Sequence, residues 1–463
     1  MPPILAFFIF TAFVVYVFRR DLREHPNVTP ALWLPTIWMF LISSRTVTQW
    51  AQMAGISLGG GNYQEGTPSD AVVFFALITA GIVVLYRRHV NMRDVASHNR
   101  LLTFFLIYCL ISICWSEFPF VAFKRWIKIL GHPVMTLVVF TEPDPQEAIC
   151  RMMKRCAYII LPYSIMFIKY FPEWSHENSP YGGPALLTGT ALDKNMEGSI
   201  CFILGAFFLW HFLQVRQWER SPKRRGEMFL CLLFLLMVGY LLRAVHSSTS
   251  EVSLAVAAGV MLLLGRRFIN PANIGTYLIT TGVVIGLSQW MFGFVDYIIQ
   301  NNLGKDLTLT DRTKVWALAL QLQDNPILGA GFESFWMGDR LREVWSQFWW
   351  HPIQAHNGYL ETYLSLGLVG LGLMLALIVS AFLRGRHALL AGSDFGRFRL
   401  GFVTAFVLYN WTEAAFKAIH PVWFVFYIVA IDFALQTEPA KTESEVRVEQ
   451  GSDRPGFEGE VVA

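Results

Sequence analysis

The segment that decides the fold class runs from residue 357 to residue 383 and reads NGYLETYLSLGLVGLGLMLALIVSAFL. Its one charged residue is Glu361. A helix needs about 20 predominantly apolar residues to cross the hydrocarbon core of a bilayer. A soluble core rarely contains an apolar run of this length, so the segment predicts a transmembrane helix.

Apolar runs of the same character recur along the whole chain. Its 463 residues are 54% hydrophobic and only 15% charged, with a mean hydropathy of +0.42. A soluble protein of this size carries more charge on its surface. The sequence therefore predicts an all-α polytopic membrane protein with about 12–13 transmembrane helices. The candidate spans lie at residues 4–18, 31–42, 70–86, 101–115, 126–140, 156–170, 199–215, 227–243, 251–265, 274–292, 357–383, 400–412 and 420–437.

The loops between these spans alternate in charge. Basic loops are retained on the cytoplasmic side of a membrane, so the alternation predicts a periplasmic N-terminus and a cytoplasmic C-terminus. The basic residues of the six short loops are Arg19, Arg20 and Arg23; Arg87, Arg88, Arg93 and Arg100; Arg151, Lys154 and Arg155; Arg216, Arg220, Lys223, Arg224 and Arg225; Arg266 and Arg267; and Arg384, Arg386, Arg397 and Arg399.

The chain divides into two regions by composition. We expect one transmembrane helical domain over residues 1–437, including a long periplasmic loop at residues 293–356. Residues 438–463 are rich in acidic residues, Pro, Gly and Ser, which predicts a disordered cytoplasmic tail. The six cysteines lie in or beside apolar runs and are interpreted as small core residues.

Polar residues that point to chemistry lie at the predicted periplasmic ends of the spans. The long loop contains Arg312 and Lys314 and ends at His356, while Arg243 and Lys194 stand at the ends of neighbouring spans. Any one of them has an ordinary explanation as a helix cap, a solvated charge or a snorkelling side chain. Together, cations and a histidine at one face of the membrane indicate a functional site.

An aromatic stretch precedes His356 in the same loop. Residues 340–350 place apolar side chains at helical spacing, with further tryptophans beside them. The pattern predicts an amphipathic helix in the plane of the lipid headgroups, where indole rings are preferred. We interpret its tryptophans as a lipid-facing aromatic platform or as simple membrane anchors. The apolar positions are Leu341, Val344, Trp345 and Phe348, and the added tryptophans are Trp349 and Trp350.

Several motifs, in order, resemble the O-antigen ligase and Wzy-type polysaccharide polymerase superfamily, and most closely its ExoQ-like exopolysaccharide polymerases. The similarity covers roughly residues 100–430 of this chain. The motifs are Cys114-Trp115-Ser116-Glu117-Phe118-Pro119, Asp193-Lys194-Asn195, Ser247-Ser248-Thr249-Ser250, Asp311-Arg312…Trp316, Pro326-x-x-Gly329-x-Gly331 and His356-Asn357…Leu366-Gly367-Leu368-Val369-Gly370.

The resemblance implies a metal-independent, inverting glycosyltransferase of the bacterial inner membrane. Such enzymes take a glycan from a polyprenyl diphosphate and pass it to a sugar hydroxyl on another glycan. The family's arginine falls on Arg312 and its histidine on His356. A second family cation is expected where this chain has Thr249, and Arg243 or Lys194 are possible replacements. Membrane lipid, a flippase and a chain-length regulator are the partners implied, and nucleic acid is not among them.

These residue types suit the implied reaction. The planar guanidinium of Arg312 is permanently charged and binds phosphate at two points. A neutral His356 is a suitable base for the acceptor hydroxyl, with Glu361 or Glu413 as possible orienting partners. The predicted periplasmic loops have no carboxylate cluster of the Asp-x-Asp kind, so no metal or other cofactor is expected.

Two other functions remain open on the sequence. One is an O-antigen ligase, which transfers finished glycan once to a lipid A core instead of growing a polymer. The other is a transporter or flippase for the lipid-linked glycan. The small number of ionisable residues in the middle of the spans disfavours a proton-coupled carrier.

Overall fold

The computed structural model describes residues 1–59, 66–178, 184–266, 269–293, 297, 301 and 312–433. Within these ranges the chain is almost entirely helical, and the strands described, His176–Glu177 and Leu186–Leu187, form one short antiparallel pair. The predicted tail at residues 438–463 lies outside the described residues. The α-helices are α1 (Pro3–Arg23), α2 (Trp33–Ser43), α3 (Val47–Met53), α4 (Pro68–Arg87), α5 (Met92–His98), α6 (Arg100–Ile111), α7 (Pro119–Ile129), α8 (Gly131–Phe140), α9 (Pro145–Tyr170), α10 (Pro172–Ser175), α11 (Lys194–Val215), α12 (Pro222–Val245), α13 (Ser248–Leu263), α14 (Ile274–Phe292), α15 (Arg312–Gln321), α16 (Gly338–Gln347), α17 (Gly358–Leu390), α18 (Asp394–Thr412) and α19 (Pro421–Ala430), with 3₁₀ turns at Pro30–Leu32, Ser112–Trp115 and Pro271–Asn273.

The long apolar helices confirm the predicted class, an all-α polytopic membrane protein. Among the described residues, six helices are long and apolar enough to cross a membrane, namely α1, α4, α11, α12, α17 and α14 with the 3₁₀ turn before it. The pair α5 and α6, bent by 103° at a short break, adds a seventh if it forms one span.

The other predicted spans fall on helices that are shorter, divided or more polar, so the count of 12–13 exceeds the full-length apolar helices of the described chain. Helices α2, α13 and α19 are apolar but short. The span predicted at 126–140 is divided between α7, which ends at Ile129, and α8, which begins at Gly131. Helix α7 is amphipathic, and the ammonium of Lys124 lies over the exposed ring of Phe120.

Helix α11 forms the centre of the bundle and packs against α12, α13 and α18. Gly198 near its start leaves no room for a side chain, since a Cβ atom there would lie 2.5 Å from the Cβ of Ser247. Thr249 at the start of α13 is joined to Thr412 at the end of α18 by a 2.7 Å hydrogen bond between their hydroxyls. The starts of α11 and α13 and the ends of α12 and α18 thus meet, and we call this the site end of the bundle.

The opposite end holds buried ion pairs instead of simple solvated loops. Asp21 in α1 is buried and accepts hydrogen bonds from Arg151 at 2.8 Å and from Arg155 at 2.9 Å. Glu227 in α12 binds the ammonium group of Lys154. The interpretation of these three cations as loop charges was wrong, because α9 begins at Pro145 and carries them into the bundle. Buried charges need partners, and removing one partner of such a pair is strongly destabilising.

Helix α17 is broken at Gly367, and the break separates its first turns from its longer apolar part. Gly367 adopts a left-handed backbone with φ 64° and ψ −165°. The motif Pro326-x-x-Gly329-x-Gly331 docks on this break, where the amide of Leu368 donates to the carbonyl of Pro326 at 2.9 Å. A Cβ atom at position 367 would lie 2.1 Å from the carbonyl oxygen of Ile327. Close packing of backbone on backbone therefore explains the glycines at positions 329 and 367.

Candidate active site

The described part of the long loop, residues 312–356, folds around an apolar cluster of its own. The predicted amphipathic helix is present as α16. Its apolar face packs into this cluster and is therefore not free to contact lipid. The indole N–H of Trp316 in α15 donates to the carbonyl of Ala355 at 2.6 Å, which joins the helix of Arg312 to the residue before His356. The buried members are Val315, Ala319, Phe335, Trp336, Leu341, Val344, Ala355 and Leu364.

The two residues predicted to be catalytic meet at one carboxylate, that of Glu413. Arg312 donates to its Oε1 at 2.9 Å, and the Nδ1 of His356 lies 3.1 Å from its Oε2. Arg312 also donates to the carbonyl of Thr412. The three side chains come from the start of α15, the end of the long loop and the turn after α18, and they lie together at the site end.

Glu413 is ionised at physiological pH. Burial alone would raise its pKa, but the charge of Arg312 and the hydrogen bonds from His356 and Arg312 outweigh burial and hold the pKa below its ordinary value. A carboxylate only accepts hydrogen bonds, so the Nδ1 of His356 must carry the proton that it shares with Glu413. In the neutral ring this leaves the lone pair on Nε2, and no described residue forms a hydrogen bond with Nε2. Glu413 therefore fixes the tautomer in which His356 can accept a proton.

The backbone around His356 presents its ring to Glu413. His356 has a left-handed φ of 50°, and the side chain of Asn357 after it caps α17 by accepting from the amide of Leu360 at 3.1 Å. The amide of Gly358 donates to the carbonyl of Glu413 at 3.1 Å. The cap and this backbone contact turn the chain sharply at the histidine and tie it to the turn after α18.

A second cation adjoins this group, Lys417, which sequence reasoning missed. Its ammonium donates to Oε1 of Gln354, and the amide nitrogen of Gln354 lies 3.3 Å from Nδ1 of His356. Both Glu413 and Lys417 belong to the short turn 413–420 after α18, a segment with few other residues that suggest a function from sequence. Glu361, the other suggested partner of His356, instead accepts from the indole of Trp336 at 2.8 Å.

The other predicted cations lie on α12, on α15 and at the start of α11. Arg243 is exposed on the last turn of α12, and Lys314 is exposed on α15. Lys194 opens α11, and its charge acts on Glu177. Thr249, at the position of the second family cation, bonds to Thr412 and so lies beside the backbone that Arg312 contacts.

Asp193 connects the start of α11 with the same group. Burial raises the pKa of this carboxyl, the nearby charge of Glu413 raises it further, and the charge of His356 opposes the rise. Its side chain caps α11 by accepting from the amides of Asn195 and Met196 at 2.8 and 2.9 Å. The Asp-Lys-Asn motif thus brings its aspartate to the site and serves as a helix cap.

The three tryptophans of the predicted platform differ in exposure. The indole of Trp345 donates to the carbonyl of Pro352 at 3.0 Å and packs against His351 at 5.1 Å between ring centroids. Trp350 is partly buried beside Phe348, while 63% of Trp349 is exposed. Trp345 and Trp350 hold the loop together, and Trp349 is the member that faces outward.

One group of potential metal ligands occurs among the described residues, and it is distant from the site. His211, Glu227 and Cys231 are buried together at the opposite end of the bundle. The ammonium of Lys154 binds the same oxygen of Glu227 that lies 2.9 Å from Nε2 of His211. A cation already occupies the position next to the carboxylate, so this set does not favour a metal. All six cysteines are free thiols, and Cys114 is the exposed one.

Comparison with known proteins agrees with the motifs. The chain is 27% identical over 359 residues to the exopolysaccharide production protein ExoQ of Rhizobium meliloti (strain 1021), a match that covers 73% of this chain and 77% of ExoQ. The chain is therefore similar to a protein of exopolysaccharide production. The resemblance inferred from its sequence is thereby confirmed. No protein-family model matches the chain.

The motifs of this chain occupy two kinds of position. The glycine motif at 326–331 and the break at Gly367 allow two backbone segments to pack closely. Arg312 and His356 place a positive charge and an imidazole at the same carboxylate, that of Glu413.

Proposed function

We propose that this protein is a glycosyltransferase of exopolysaccharide or O-antigen assembly. In the proposed reaction a glycan moves from a polyprenyl diphosphate donor to a sugar hydroxyl, and repeat units are polymerised. The observation that carries the proposal is the group formed by Arg312, Glu413 and His356, because it joins a phosphate-binding cation to an oriented base. Similarity to a protein of exopolysaccharide production supports the same chemistry.

The reaction requires one bond to form as another breaks. The acceptor hydroxyl gives its proton to Nε2 of His356, and its oxygen attacks the anomeric carbon of the donor sugar. The bond from that carbon to the diphosphate oxygen breaks, and the diphosphate leaves with the electron pair. Arg312 and Lys417 would stabilise the negative charge that develops on it. Attack from the face opposite the diphosphate inverts the anomeric centre.

Side chains of this group can serve the reaction without a metal. Arg312 keeps further N–H groups beyond the two that bind Glu413 and the carbonyl of Thr412. Glu413 is paired with Arg312 and His356, and the guanidinium of Arg312 already balances its charge. We propose a periplasmic site at the inner membrane, with Trp349 in contact with the donor lipid.

Glu413→Gln tests the orienting role. The amide can donate to Nδ1 of His356, which would shift the proton to Nε2 and remove the accepting lone pair. Loss of a hydrogen bond to a charged group predicts a fall in kcat of about 10- to 100-fold. The measurement is transfer by purified protein with lipid-linked donor in detergent. Glu343→Gln, a change at an exposed glutamate of α16, is the matched control. Wild-type turnover in Glu413→Gln would contradict the orienting role.

Lys417→Gln tests the second cation. The substitution removes the charge near the leaving diphosphate but retains a side chain that can bond to Gln354. One charge-assisted hydrogen bond predicts a fall in kcat/KM for the donor of about tenfold or more, and Lys417→Arg should restore part of it. Titration of the donor measures this effect. Equal losses in Lys417→Arg and Lys417→Gln would assign the residue to packing instead of charge.

Two experiments separate the proposed activity from its alternatives. A strain that lacks a polymerase accumulates single repeat units, whereas a strain that lacks a ligase keeps finished polymer on the carrier. The glycan profile of a deletion strain therefore distinguishes these two functions. Turnover of donor by purified protein in detergent, where no second compartment exists, excludes a transporter as the sole activity.

A further inference from the structure

A polar cavity at the site end is lined by none of the residues named in the reaction proposed above. Its volume is about 490 Å³. It opens between the segment before α3, α3 itself, α10 and the residue that precedes Asp193. The side chains that matter in its wall are Arg45, Gln49, Gln52, Glu173, Trp174 and Leu192.

The wall of this cavity has the chemistry of a saccharide site. Gln49 and Gln52 are three residues apart on α3, so both lie on the face of the helix that borders the cavity. Amide, carboxylate and guanidinium groups can donate to and accept from sugar hydroxyls, and the indole of Trp174 offers an apolar surface to the C–H face of a ring. One arginine and one glutamate give no net charge, which favours a neutral ligand over a phosphate.

The cavity is held open by contacts within its wall. Arg45 donates to the backbone carbonyl of Trp174 at 2.6 Å. The indole of Trp174 is stacked on Phe171, with ring centroids 5.0 Å apart and planes within 9°. The side chain of Thr46 and that of Gln49 form a reciprocal cap at the start of α3. These interactions fix the wall before a ligand binds, which lowers the entropic cost of binding.

The cavity adjoins the candidate active site through the start of α11. Leu192 lines the cavity, and Asp193 next to it feels the charges of both Glu413 and His356. Arg45 in the wall interacts with Glu197 on the first turn of the same helix. None of the residues that line the cavity comes from the 312–356 segment that carries Arg312 and His356. A ligand in the cavity would therefore reach His356 along a different set of elements from the donor.

We propose that this cavity binds the acceptor glycan, as a neutral oligosaccharide whose attacking hydroxyl is held towards His356. The inference rests on the proposed function and adds to it the binding site of one substrate. It assigns Gln52 and Trp174 to acceptor binding. Neither residue touches the reacting atoms.

Acceptor titration tests the proposal with Gln52→Ala and Trp174→Ala. The acceptor probe is the oligosaccharide repeat unit released from its lipid, and the purified protein is supplied with saturating lipid-linked donor. Loss of a hydrogen bond or of a stacking surface predicts an increase in KM for the acceptor of about fivefold to tenfold. The donor KM and kcat should stay within twofold. Gln347→Ala, at an exposed glutamine of α16, is the matched control and should change nothing.

Calorimetric binding of the same oligosaccharide separates failure of this inference from failure of the proposed function. Wild-type binding that is lost in Gln52→Ala, without any transfer activity, would keep the cavity as a glycan site and reject the transferase. Unchanged acceptor KM and unchanged binding in both variants, with normal transfer by wild type, would reject the cavity alone. An increase confined to the donor KM would overturn the assignment to the acceptor.

Discussion

Replacing His356 by Gln is expected to lower the turnover of lipid-linked donor by about 10²- to 10⁴-fold, the usual contribution of general base catalysis. Glutamine can still bond to Glu413, but it cannot take a proton from the acceptor hydroxyl at neutral pH. Substrate binding should change little, because the ring accepts the proton only as the bond forms. The measurement is single-turnover transfer with saturating donor and acceptor.

His351→Gln is the matched control for this prediction. His351 lies five residues earlier in the same loop, is exposed, and shares the left-handed backbone, with φ 48° against 50° for His356. It should retain wild-type turnover. If His356→Gln inserted normally and transferred glycan at the wild-type rate, the base would have to be another group.

Removing the guanidinium of Arg312 is the second change with a large expected effect. Arg312→Ala should lower kcat by about 10²- to 10³-fold, since one donor to a developing oxyanion typically contributes that much. Arg312→Lys should recover only part of the loss, because an ammonium is a point charge that cannot bind phosphate at two points. Arg312→Ala also leaves Glu413 without the guanidinium that lowers its pKa.

Transfer by membranes from a strain that relies on each variant provides the measurement for Arg312. Arg342→Ala is its control, since Arg342 is an exposed arginine of α16 paired with Asp339. Polymer of normal amount and length from Arg312→Ala would remove this residue from the reaction. Equal activity of the alanine and lysine variants would show that charge at this position is irrelevant.

The sequence predicts the class of this fold well because hydropathy is a local property. Apolar runs of sufficient length mark helices such as α12 and α17 without knowledge of their neighbours. Helix bounds are predicted less well where polar residues are buried by pairing. Arg151 and Arg155 were placed in a loop, because their partner Asp21 lies far away in the chain.

The candidate site was predicted in part for the same reason. Arg312 and His356 stand in motifs and could be named as separate residues. The group that joins them is Glu413, about a hundred positions after Arg312, and only the packing of α18 against α17 brings it there. Lys417 carries no motif, and its contact with Gln354 has a sequence separation of 63 residues. Contacts of this kind depend on tertiary structure, and the periodicity of apolar residues along the sequence does not predict them.

The break at Gly367 gives the two halves of α17 different surroundings. Thirty-three helical residues without a break would measure about 50 Å, well beyond a hydrocarbon core of about 30 Å. Below the break, residues 368–390 have the length to traverse the lipid, and a helix of this kind adjusts its tilt when bilayer thickness changes. Before the break, backbone hydrogen bonds connect the first turns of α17 to the 326–331 segment and to the turn after α18. We therefore expect a change in lipid composition to alter the tilt of residues 368–390. The distance between the imidazole of His356 and the carboxylate of Glu413 should stay the same.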